Sequence, residues 1–574
     1  MPGRRESRRA FSAVAVPLLL LAGAALARAL AANSLPAASR VSLTLLATTD
    51  LHGHLFPTDE ESGRPANLGL AKIATVIARE RAAHPNALLL DCGDTTQGTA
   101  FAYLAATKYS GEPNPIIAAM NSLGYDAMAV GNHDFNFGLA HLAKIRSEAH
   151  FPILGANVQT MPGAPGQPFP AYVVKTVAGV RVGIIGVVTP GIARGEIPEN
   201  YRGYRFRPIV EATASVTAQL RPTVDLLVVI AHSGLGRDPA SAGPPSAGDD
   251  NLENAMIEVA QRVPGIDAIL FGHSHQEVGE KFVNGVLLTQ AKFWGQSLAE
   301  ASVELESSGE APGTWHVASK HARVIPITAD DAADPRVLTG AQALGEIAEK
   351  FLDRPVAHIS APLDGATGRL EDSPLVDWIH TAQLESGRAD VSLATMFRTG
   401  VYFPAGTLTV RNFFALYPYD NVLYTIEMNG AELKDALEQA ASFYPAWPLP
   451  AGDSRIALPT YEADSAAGVS YILDLSRPIG SRVRDLTYRG QSLAADQRLP
   501  VVLNHYRYYG DERFRSRKIV RQAPDHAFEA LLEYAARVKE LPVTAPGNWR
   551  IEPREAREAL LDAARLQGRA QQPR

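Results

Sequence analysis

Short β-rich runs alternate with helical segments from residue 41 onward, and no other feature of the sequence restricts the fold as strongly. Because alternating strands and helices are typical of sheets covered by helices, the pattern predicts a layered α/β domain. Helical spacing of apolar residues marks segments 70–81 and 139–149. Segments 161–170 and 237–250 are rich in Gly, Pro, Ala and Ser, and we interpret them as exposed loops. The predicted strands are 41–49, 88–90, 127–130, 182–188, 226–231, 268–271 and 286–289.

The chain of 574 residues is long enough for at least two domains, since domains typically contain roughly one to two hundred residues. Its character changes near residue 331, where an amphipathic helical segment, 337–352, follows the first set of β-rich runs. We expect the layered α/β domain to occupy 41–330 and a connecting helix to occupy 331–354. A smaller α+β domain is expected over 355–552 and a polar tail over 553–574.

Residues 1–32 have the composition of an export signal. Four arginines precede an apolar run, 13–27, and they are Arg4, Arg5, Arg8 and Arg9. Segment 7–11 resembles a twin-arginine signal, which carries folded proteins across a membrane. The alternative is a retained membrane anchor, because the apolar run approaches the length that spans a bilayer. Pro17 and Arg28 favour cleavage, so we expect a periplasmic or secreted protein without a stable membrane anchor.

The charge balance restricts the class of partner. With 54 Lys and Arg against 61 Asp and Glu, the chain has a formal net charge of −7. Proteins that hold polymeric nucleic acid by counterion release carry a basic surplus, so DNA and RNA polymers are not expected partners. The single cysteine, Cys92, excludes an intrachain disulfide, and we interpret it as a small buried hydrophobic residue.

Polar side chains follow the carboxyl ends of the predicted strands. The set comprises Asp50, His52, Asp94, Asn132, His133, His232, His273 and His275. Because ligands bind beyond the carboxyl ends of strands in α/β sheets, we expect these residues to converge although they are far apart in sequence. Imidazole and carboxylate ligands suit Zn, Mn, Co or Fe, and the absence of a thiolate cluster argues against a structural zinc site. Each residue alone is more often structural than a ligand, but together they predict a pair of divalent ions, whose positive charge suits a phosphate anion.

Five short motifs carry a resemblance to a known family. They are Asp50-Leu51-His52, Gly93-Asp94, Gly131-Asn132-His133-Asp134, Ala231-His232 and Gly272-His273-Ser274-His275. In this order they resemble the motifs of calcineurin-like metallophosphoesterases, and the second half of the chain resembles the C-terminal domain of bacterial 5′-nucleotidases. The resemblance implies one metal held by Asp50, His52, Asp94 and His275 and another held by Asp94, Asn132, His232 and His273, with Asp94 bridging. It also implies that His133 is not a ligand but faces the substrate.

Two positions distinguish branches of this family. Typical 5′-nucleotidases have an Asp three residues after the His of Gly-Asn-His and a Gln after Gly-His-Ser, whereas this chain has Asn136 and His275. Both details resemble the 2′,3′-cyclic-nucleotide 2′-phosphodiesterase/3′-nucleotidase branch. This resemblance implies hydrolysis of 2′,3′-cyclic nucleotides to 3′-nucleotides, and then to nucleosides and phosphate, with His133 and Asn136 as the catalytic side chains beside the metals. The alternatives are a 5′-nucleotidase or nucleotide-sugar diphosphatase, a thiosulfate-releasing relative, and a nucleotide-binding protein without catalytic activity.

The second domain is expected to bind the nucleobase. By motif position, the two aromatic rings that grip the base in the family correspond to Tyr419 and Tyr506, and Asn421 lies near the first of them. Every base has a π-face, so stacking gives affinity with little base selectivity. The alternative is a pair of core aromatic residues with satisfied hydroxyl groups. The family's glycine-rich phosphate loop is poorly matched at 395–400, so no binding role is assigned to Arg398.

Overall fold

The computed structural model describes residues 39–164, 166–237, 253–307, 315–449 and 456–571, as well as Gly3. They form an N-terminal domain of two packed sheets covered by helices and a smaller C-terminal α+β domain. Helix Pro335–Leu352 joins the two domains. The fold class predicted from the sequence is therefore confirmed.

Two six-stranded sheets form the centre of the N-terminal domain. The first has the strand order Trp315–Pro326, Ser297–Ser307, Arg40–Thr48, Ala87–Asp91, Ala127–Ala129 and Ile153–Leu154. The second has the order Val278–Val283, Val286–Gln290, Ala268–Phe271, Leu226–His232, Val180–Val188 and Tyr172–Val177. The central strands of each sheet run parallel, so their carboxyl ends lie at one edge of that sheet.

Both faces of the central strands are buried. Leu45 lies in the apolar layer between the two sheets together with Val228, whereas Leu46 packs on the outer face with the helices. Consecutive side chains of a strand point to opposite faces, which is why these strands are nearly continuous apolar runs. The helices of this domain are Leu70–Ala83, Ala100–Ala106, Pro115–Leu123, Gly138–Glu148, Ile192–Gly195, Ile209–Leu220 and Met256–Arg262. Short 3₁₀ turns cover His133–Phe135, Pro198–Tyr201 and Arg221–Thr223.

The C-terminal domain surrounds a five-stranded sheet, against which helix Pro374–Gly387 packs with Trp378 fully buried. The strand order is Ser465–Ala467, Val391–Ala394, Arg498–Asn504, Val422–Asn429 and Ile519–His526. A four-stranded sheet has the order Gln491–Ser492, Val483–Tyr488, Val469–Asp474 and Trp549–Glu552. The C-terminal domain also has two two-stranded sheets, which pair Pro355–Ile359 with Gly406–Thr409 and Leu363–Asp364 with Tyr402–Phe403. The N-terminal domain has two more, which pair Thr58–Asp59 with Arg64–Pro65 and Val158–Thr160 with Tyr204–Phe206. The remaining helices are Val410–Leu416, Gly430–Ala441, His505–Gly510, Glu512–Arg515, Ala527–Val538 and Arg554–Gln571.

Most of the sequence pattern reappears in these elements. Each of the seven predicted strands is present, with ends that differ by at most two residues. The expected polar tail, 553–574, for which the sequence predicts a short helical pattern, contains the helix Arg554–Gln571, whose residues Ala556 and Leu560 lie in the apolar core of the second domain. The apolar stripe of this helix explains why a segment rich in charged residues packs against the domain.

Two expectations concern segments of which little or nothing is described. The predicted export signal, 1–32, lies outside the described residues apart from Gly3, as does most of the predicted loop 237–250. The described part of 161–170 contains neither helix nor strand. Among the described residues, no helix is both long and apolar enough to cross a lipid bilayer.

Candidate metal centre and active site

Five parallel strands of the two sheets deliver the predicted ligands to one place. Strands Arg40–Thr48, Ala87–Asp91, Ala127–Ala129, Leu226–His232 and Ala268–Phe271 end at or just before these residues. Asp50, His52 and His275 form one group that could hold a metal ion, and Asp94, His232 and His273 form a second. Within each group the candidate ligand atoms all lie within 4.8 Å of one another. The convergence expected from the strand ends is present in the structure.

Asp94 lies between the two groups. Its Oδ2 is 3.0 Å from His232 Nε2 in one group and 3.8 Å from His52 Nε2 in the other. His275 Nε2 is 3.1 Å from His52 Nε2 and 3.4 Å from Asp50 Oδ1. Ring nitrogens and carboxylate oxygens that converge at these distances are arranged as the ligands of a pair of cations would be.

Hydrogen bonds to the remaining ring nitrogens select the ligand atom of each histidine. His52 Nδ1 is 2.9 Å from the carbonyl oxygen of Gln97, and His232 Nδ1 is 2.8 Å from that of Cys92. Since a carbonyl only accepts, both Nδ1 atoms carry a proton, and Nε2 is the atom of each ring that can bind a cation once it carries no proton. His273 is bound the other way round, because its Nε2 lies 3.1 Å from Glu253 Oε1. Its Nδ1 is therefore the available ligand, and Glu253 is a supporting residue that the sequence analysis missed.

The side chain of Asn132 provides an independent test of the fit to a cation. Its Oδ1 is buried and has no hydrogen-bond partner among the described residues. A buried carbonyl oxygen without a partner is costly unless a cation or another donor is present. The neighbouring backbone N–H of His133 donates to Asp94 Oδ1 at 2.7 Å, which places Asn132 beside the second ligand group. The residues present therefore fit a pair of divalent ions.

The backbone of the candidate ligands is held in an uncommon conformation. Left-handed φ angles occur at Asp50 (50°), His52 (46°), Asp94 (56°), His273 (75°) and His275 (52°). Such conformations are uncommon for residues other than glycine and cluster at functional sites. Backbone hydrogen bonds stabilise them, including His52 N–H to the carbonyl of Asp94 at 2.8 Å.

Two of the motif glycines are explained by close approach. A Cβ on Gly131 would lie 2.1 Å from Asp94 Oδ1, and a Cβ on Gly272 would lie 1.8 Å from Thr49 Oγ1. Both distances are far below van der Waals contact, so neither position has room for a side chain while Asp94 and Thr49 stay in place. Thr49 in turn donates its hydroxyl proton to Asp50 Oδ2 at 2.6 Å. The glycines thus allow the loops that carry the ligands to approach one another closely.

The charges at the centre favour a cation. Burial alone would raise the pKa of Asp94, but His232 and His133 hold that pKa well below its ordinary value. Burial would lower the pKa of His232, but the Asp94 and Asp50 carboxylates and the hydrogen bond to the Cys92 carbonyl together outweigh burial and raise this pKa to about 9. Burial lowers the pKa of His52 to about 3, so its ring is neutral at pH 7. A cation beside His232 Nε2 takes the place of its proton, so metal binding is expected to release a proton.

The predicted catalytic pair is in hydrogen-bond contact. His133 Nδ1 and Asn136 Oδ1 are 2.7 Å apart, and the rings of His133 and His52 are 5.4 Å apart between centroids. Asn136 Nδ2 donates in turn to the carboxylate of Glu196. Burial raises the pKa of Glu196 to about 7, against the opposing effect of hydrogen bonds from Asn136 and its neighbours. No motif in the sequence pointed to Glu196, which follows the short helix Ile192–Gly195.

The predicted base-binding tyrosines belong to one aromatic cluster of the C-terminal domain. Phe397 contacts Tyr419 with ring centroids 5.1 Å apart, and Tyr461 lies 6.5 Å from both Phe397 and Tyr506. Tyr506 is 37% exposed. Asn421 is placed differently, because it is buried and its Oδ1 accepts the hydroxyl proton of Tyr417 at 2.9 Å. A substrate contact of Asn421 stays a prediction, and Phe397 and Tyr461 are additions that the sequence analysis missed.

Arg398, to which we assigned no role from the sequence, lies between the domains. It forms an ion pair with Glu61 of the first domain and lies over the ring of Trp294 at 5.5 Å from the centroid. The backbone N–H of Trp294 donates to the carbonyl oxygen of Asp50 at 2.8 Å. Arg398 thus connects the second domain to the edge of the metal-ligand cluster.

Two family models match the chain. The model of the calcineurin-like phosphoesterase matches residues 43–277, and the model of the 5′-nucleotidase C-terminal domain matches residues 355–518. All the candidate metal ligands lie in the first match, and Tyr419, Asn421 and Tyr506 lie in the second.

Curated relatives and a solved structure are similar over most of the chain. The chain is 29% identical to the trifunctional nucleotide phosphoesterase protein YfkN of Bacillus subtilis over 588 residues, which cover 90% of this chain and 39% of that protein. It is 28% identical to the 2′,3′-cyclic-nucleotide 2′-phosphodiesterase/3′-nucleotidase of Haemophilus influenzae over 592 residues, which cover 90% of this chain and 88% of that protein. The structure of the 5′-nucleotidase precursor from Thermus thermophilus has a TM-score of 0.66 at 25% identity, covering 89% of this chain and 100% of that one. The chain thus spans less than half of YfkN and most of the length of the other two.

Proposed function

Because the chain belongs to the calcineurin-like phosphoesterases that carry a 5′-nucleotidase C-terminal domain, we propose that it hydrolyses nucleotide phosphoesters. The observation that carries the proposal is the convergence of two ligand groups around Asp94, beside His133 and within reach of a second domain with exposed aromatic rings. The nucleotide substrates named for the relatives support the same conclusion.

We assign the ligands of two divalent ions as follows. Asp50, His52, Asp94 and His275 would hold one ion, and Asp94, Asn132, His232 and His273 would hold the other. When bound, such a pair supplies Lewis acidity for phosphoryl oxygens and lowers the pKa of water. The mixed imidazole, carboxylate and amide set suits Zn, Mn, Co or Fe.

The other residues bind and orient the substrate. His133 lies beside both ligand groups with its Nδ1 engaged by Asn136, so its Nε2 is the ring nitrogen available to a leaving ribose oxygen. Tyr419 and Tyr506 stack on the base. Both belong to the second domain, 355–552, which binds the base beside the catalytic domain, 41–330. Water adds to phosphorus, the bond from phosphorus to the ribose oxygen breaks, and the ribose oxygen takes the proton that the water gives up.

We further propose that 2′,3′-cyclic nucleotides and 3′-nucleotides are the preferred substrates. Two features support this choice: Asn136 stands where 5′-nucleotidases have an Asp, and His275 stands where they have a Gln. A relative named for both activities is similar over 90% of the chain. Opening of a 2′,3′-cyclic phosphate at the 2′ oxygen yields the 3′-nucleotide, whose phosphate the same centre then removes.

A panel of three nucleotides tests the proposal. Release of phosphate and nucleoside is measured for 2′,3′-cyclic AMP, 3′-AMP and 5′-AMP, with the Asp94→Asn variant as the control for contaminating activity. We expect the first two to be hydrolysed faster and 3′-AMP to accumulate transiently from the cyclic substrate. A preference for 5′-AMP would assign the chain to the 5′-nucleotidase alternative, and no hydrolysis of any of them would contradict the proposal.

The place of action is also a proposal. The arginine-rich start and the apolar run 13–27 support export with removal of residues 1–32, and a nucleotidase outside the cytoplasm would act on RNA breakdown products. Fractionation of cells that express the chain is the measurement. We expect the enzyme in the periplasmic or secreted fraction, with an N-terminus near residue 33, and retention in the membrane fraction would contradict export with cleavage.

A further inference from the structure

Glu196 is surrounded by hydrogen-bond donors. The backbone N–H of Ile197 donates to its Oε1 at 2.7 Å, and Asn200 Nδ2 donates to the same oxygen at 3.0 Å. Nε2 of His505 in the second domain lies 3.7 Å from Oε1, which is beyond hydrogen-bond distance. The Nδ1 of His505 accepts the backbone N–H of Val422 at 2.9 Å, so a neutral His505 carries its proton on Nε2. The carboxylate, buried at 3% exposure, therefore meets donors on this side.

The second carboxylate oxygen, Oε2, accepts from Asn136 Nδ2. An ionised carboxylate only accepts, so the amide of Asn136 must present its NH₂ group to Glu196 and its carbonyl oxygen to His133. The carbonyl oxygen also only accepts, so the proton between it and His133 belongs to Nδ1 of the histidine. The direction of each hydrogen bond in the chain from Glu196 through Asn136 to His133 follows from the charge at its buried end.

We infer that Glu196 is a positioning residue that fixes the proton of His133 on Nδ1 through the amide of Asn136, and so leaves Nε2 for the substrate. The inference rests on the proposed function, because it gives His133 its working orientation there. It also explains how Asn136 can orient His133. Without Glu196, the amide of Asn136 could flip and exchange the positions of its donor and acceptor atoms. A carboxylate still acts on His133, but it belongs to Glu196 and reaches the ring through the amide of Asn136.

The location of Glu196 agrees with this role. It follows helix Ile192–Gly195, against which helix His505–Gly510 of the second domain packs. Tyr506 lies so close to Gly195 that a Cβ there would be 2.9 Å from its ring. The carboxylate that orients His133 is thus seated where the base-binding domain meets the catalytic domain.

The Glu196→Gln variant tests the inference. The introduced glutamine would offer an NH₂ group where Oε2 stood, while its oxygen keeps the donors of Ile197 and Asn200. Asn136 must then turn its carbonyl toward the glutamine and its NH₂ toward His133. His133 Nδ1 thereby becomes an acceptor, and the ring proton moves to Nε2. The matched control is Glu199→Gln, a neighbouring exposed glutamate that pairs with Arg202.

The rescue variant is Glu196→Gln combined with Asn136→Asp. The introduced aspartate accepts from both sides, from the NH₂ group of the introduced glutamine and from His133 Nδ1, so every donor again faces an acceptor. This second variant keeps the test decisive if Glu196→Gln alone does not fold, because its buried hydrogen bonds are all satisfied.

The readout is the protonation of His133 Nδ1, measured by imidazole ¹⁵N shifts in the metal-loaded, ¹⁵N-histidine-labelled protein at about pH 8.5, where Glu196 is ionised. We expect Nδ1 to be protonated in the wild type, in Glu199→Gln and in the rescue variant, and unprotonated in Glu196→Gln. The kcat for bis(p-nitrophenyl) phosphate should fall roughly 10- to 100-fold in Glu196→Gln and recover in the rescue variant, with metal content unchanged.

Two results would overturn the inference. One is a His133 that keeps its Nδ1 proton in Glu196→Gln, and the other is a rescue variant that folds but regains neither the Nδ1 proton nor kcat. Failure of the proposed function is a separate outcome, because an inactive wild type would still show by its ¹⁵N shifts whether Glu196 sets the proton of His133.

Discussion

Replacing Gly131 by alanine tests how closely the ligand loops must approach one another. A Cβ at this position would lie 2.1 Å from Asp94 Oδ1 and 2.2 Å from the backbone nitrogen of Asp94. Ordinary van der Waals contact for these atoms begins near 3.4 Å, so Asp94 or Gly131 must move by more than about 1 Å. A displacement of this size in a catalytic centre lowers turnover by roughly 100-fold. We therefore expect Gly131→Ala to lose about two orders of magnitude in kcat/KM together with part of its bound metal.

The assay is hydrolysis of bis(p-nitrophenyl) phosphate with metal analysis of the same samples. The control is Gly279→Ala, because no atom lies within 4 Å of the Cβ that would be added there. The control should keep wild-type activity. A Gly131→Ala enzyme with activity within about threefold of the wild type would refute the view that contact between Gly131 and Asp94 holds the centre in register.

Three further predictions concern the metal bridge, the base cleft and stability in acid. Asp94→Asn should abolish turnover and lower the bound metal, because a neutral amide cannot bridge two cations as a carboxylate does; a fully active variant with two metals per chain would contradict this. Tyr506→Ala should weaken nucleotide binding by about 1–3 kcal/mol and raise KM for nucleotides accordingly. The KM for bis(p-nitrophenyl) phosphate, which has no base, should change less. Equal losses on both substrates would indicate a structural role. Burial lowers the pKa of His380 from 6.5 to about 3. As the pH falls below 6.5, this histidine takes up a proton in the unfolded chain but not in the folded one, so the free energy of unfolding decreases. Urea unfolding of the C-terminal domain should therefore show a loss of about 2 kcal/mol from this residue between pH 7.5 and 5, which His380→Gln should remove; an equal acid loss in that variant would contradict the assignment.

The sequence predicted the layered fold well because the strands are buried on both faces. Runs such as Leu226–His232 are apolar at nearly every position, and polar residues begin where such strands end. The same property located the ligands, since parallel strands deliver their carboxyl ends to a common edge. The apolar runs do not indicate which strands pair with one another. The division of the strands between two sheets could therefore not be predicted from the sequence.

What the sequence missed are residues whose role depends on contacts between distant segments. Glu196 lies 60 positions from Asn136, and Glu253 lies 20 positions from His273. Neither belongs to a recurring motif, and an isolated glutamate in a loop is ordinarily solvated. Motif position likewise did not indicate that Asn421, predicted to contact the substrate, accepts a hydrogen bond from the hydroxyl of Tyr417.

The central claim is that the residues around Asp94 would hold two cations and that nucleotide hydrolysis by the chain requires both, and a metal titration tests it most directly. Initial rates of 2′,3′-cyclic AMP hydrolysis are measured while the metal-free chain is titrated with Mn²⁺, with bound metal determined at each point. We predict no activity without metal and a rate that reaches its plateau at two bound ions per chain. Full activity in the metal-free chain, or a plateau at one bound ion, would contradict the account.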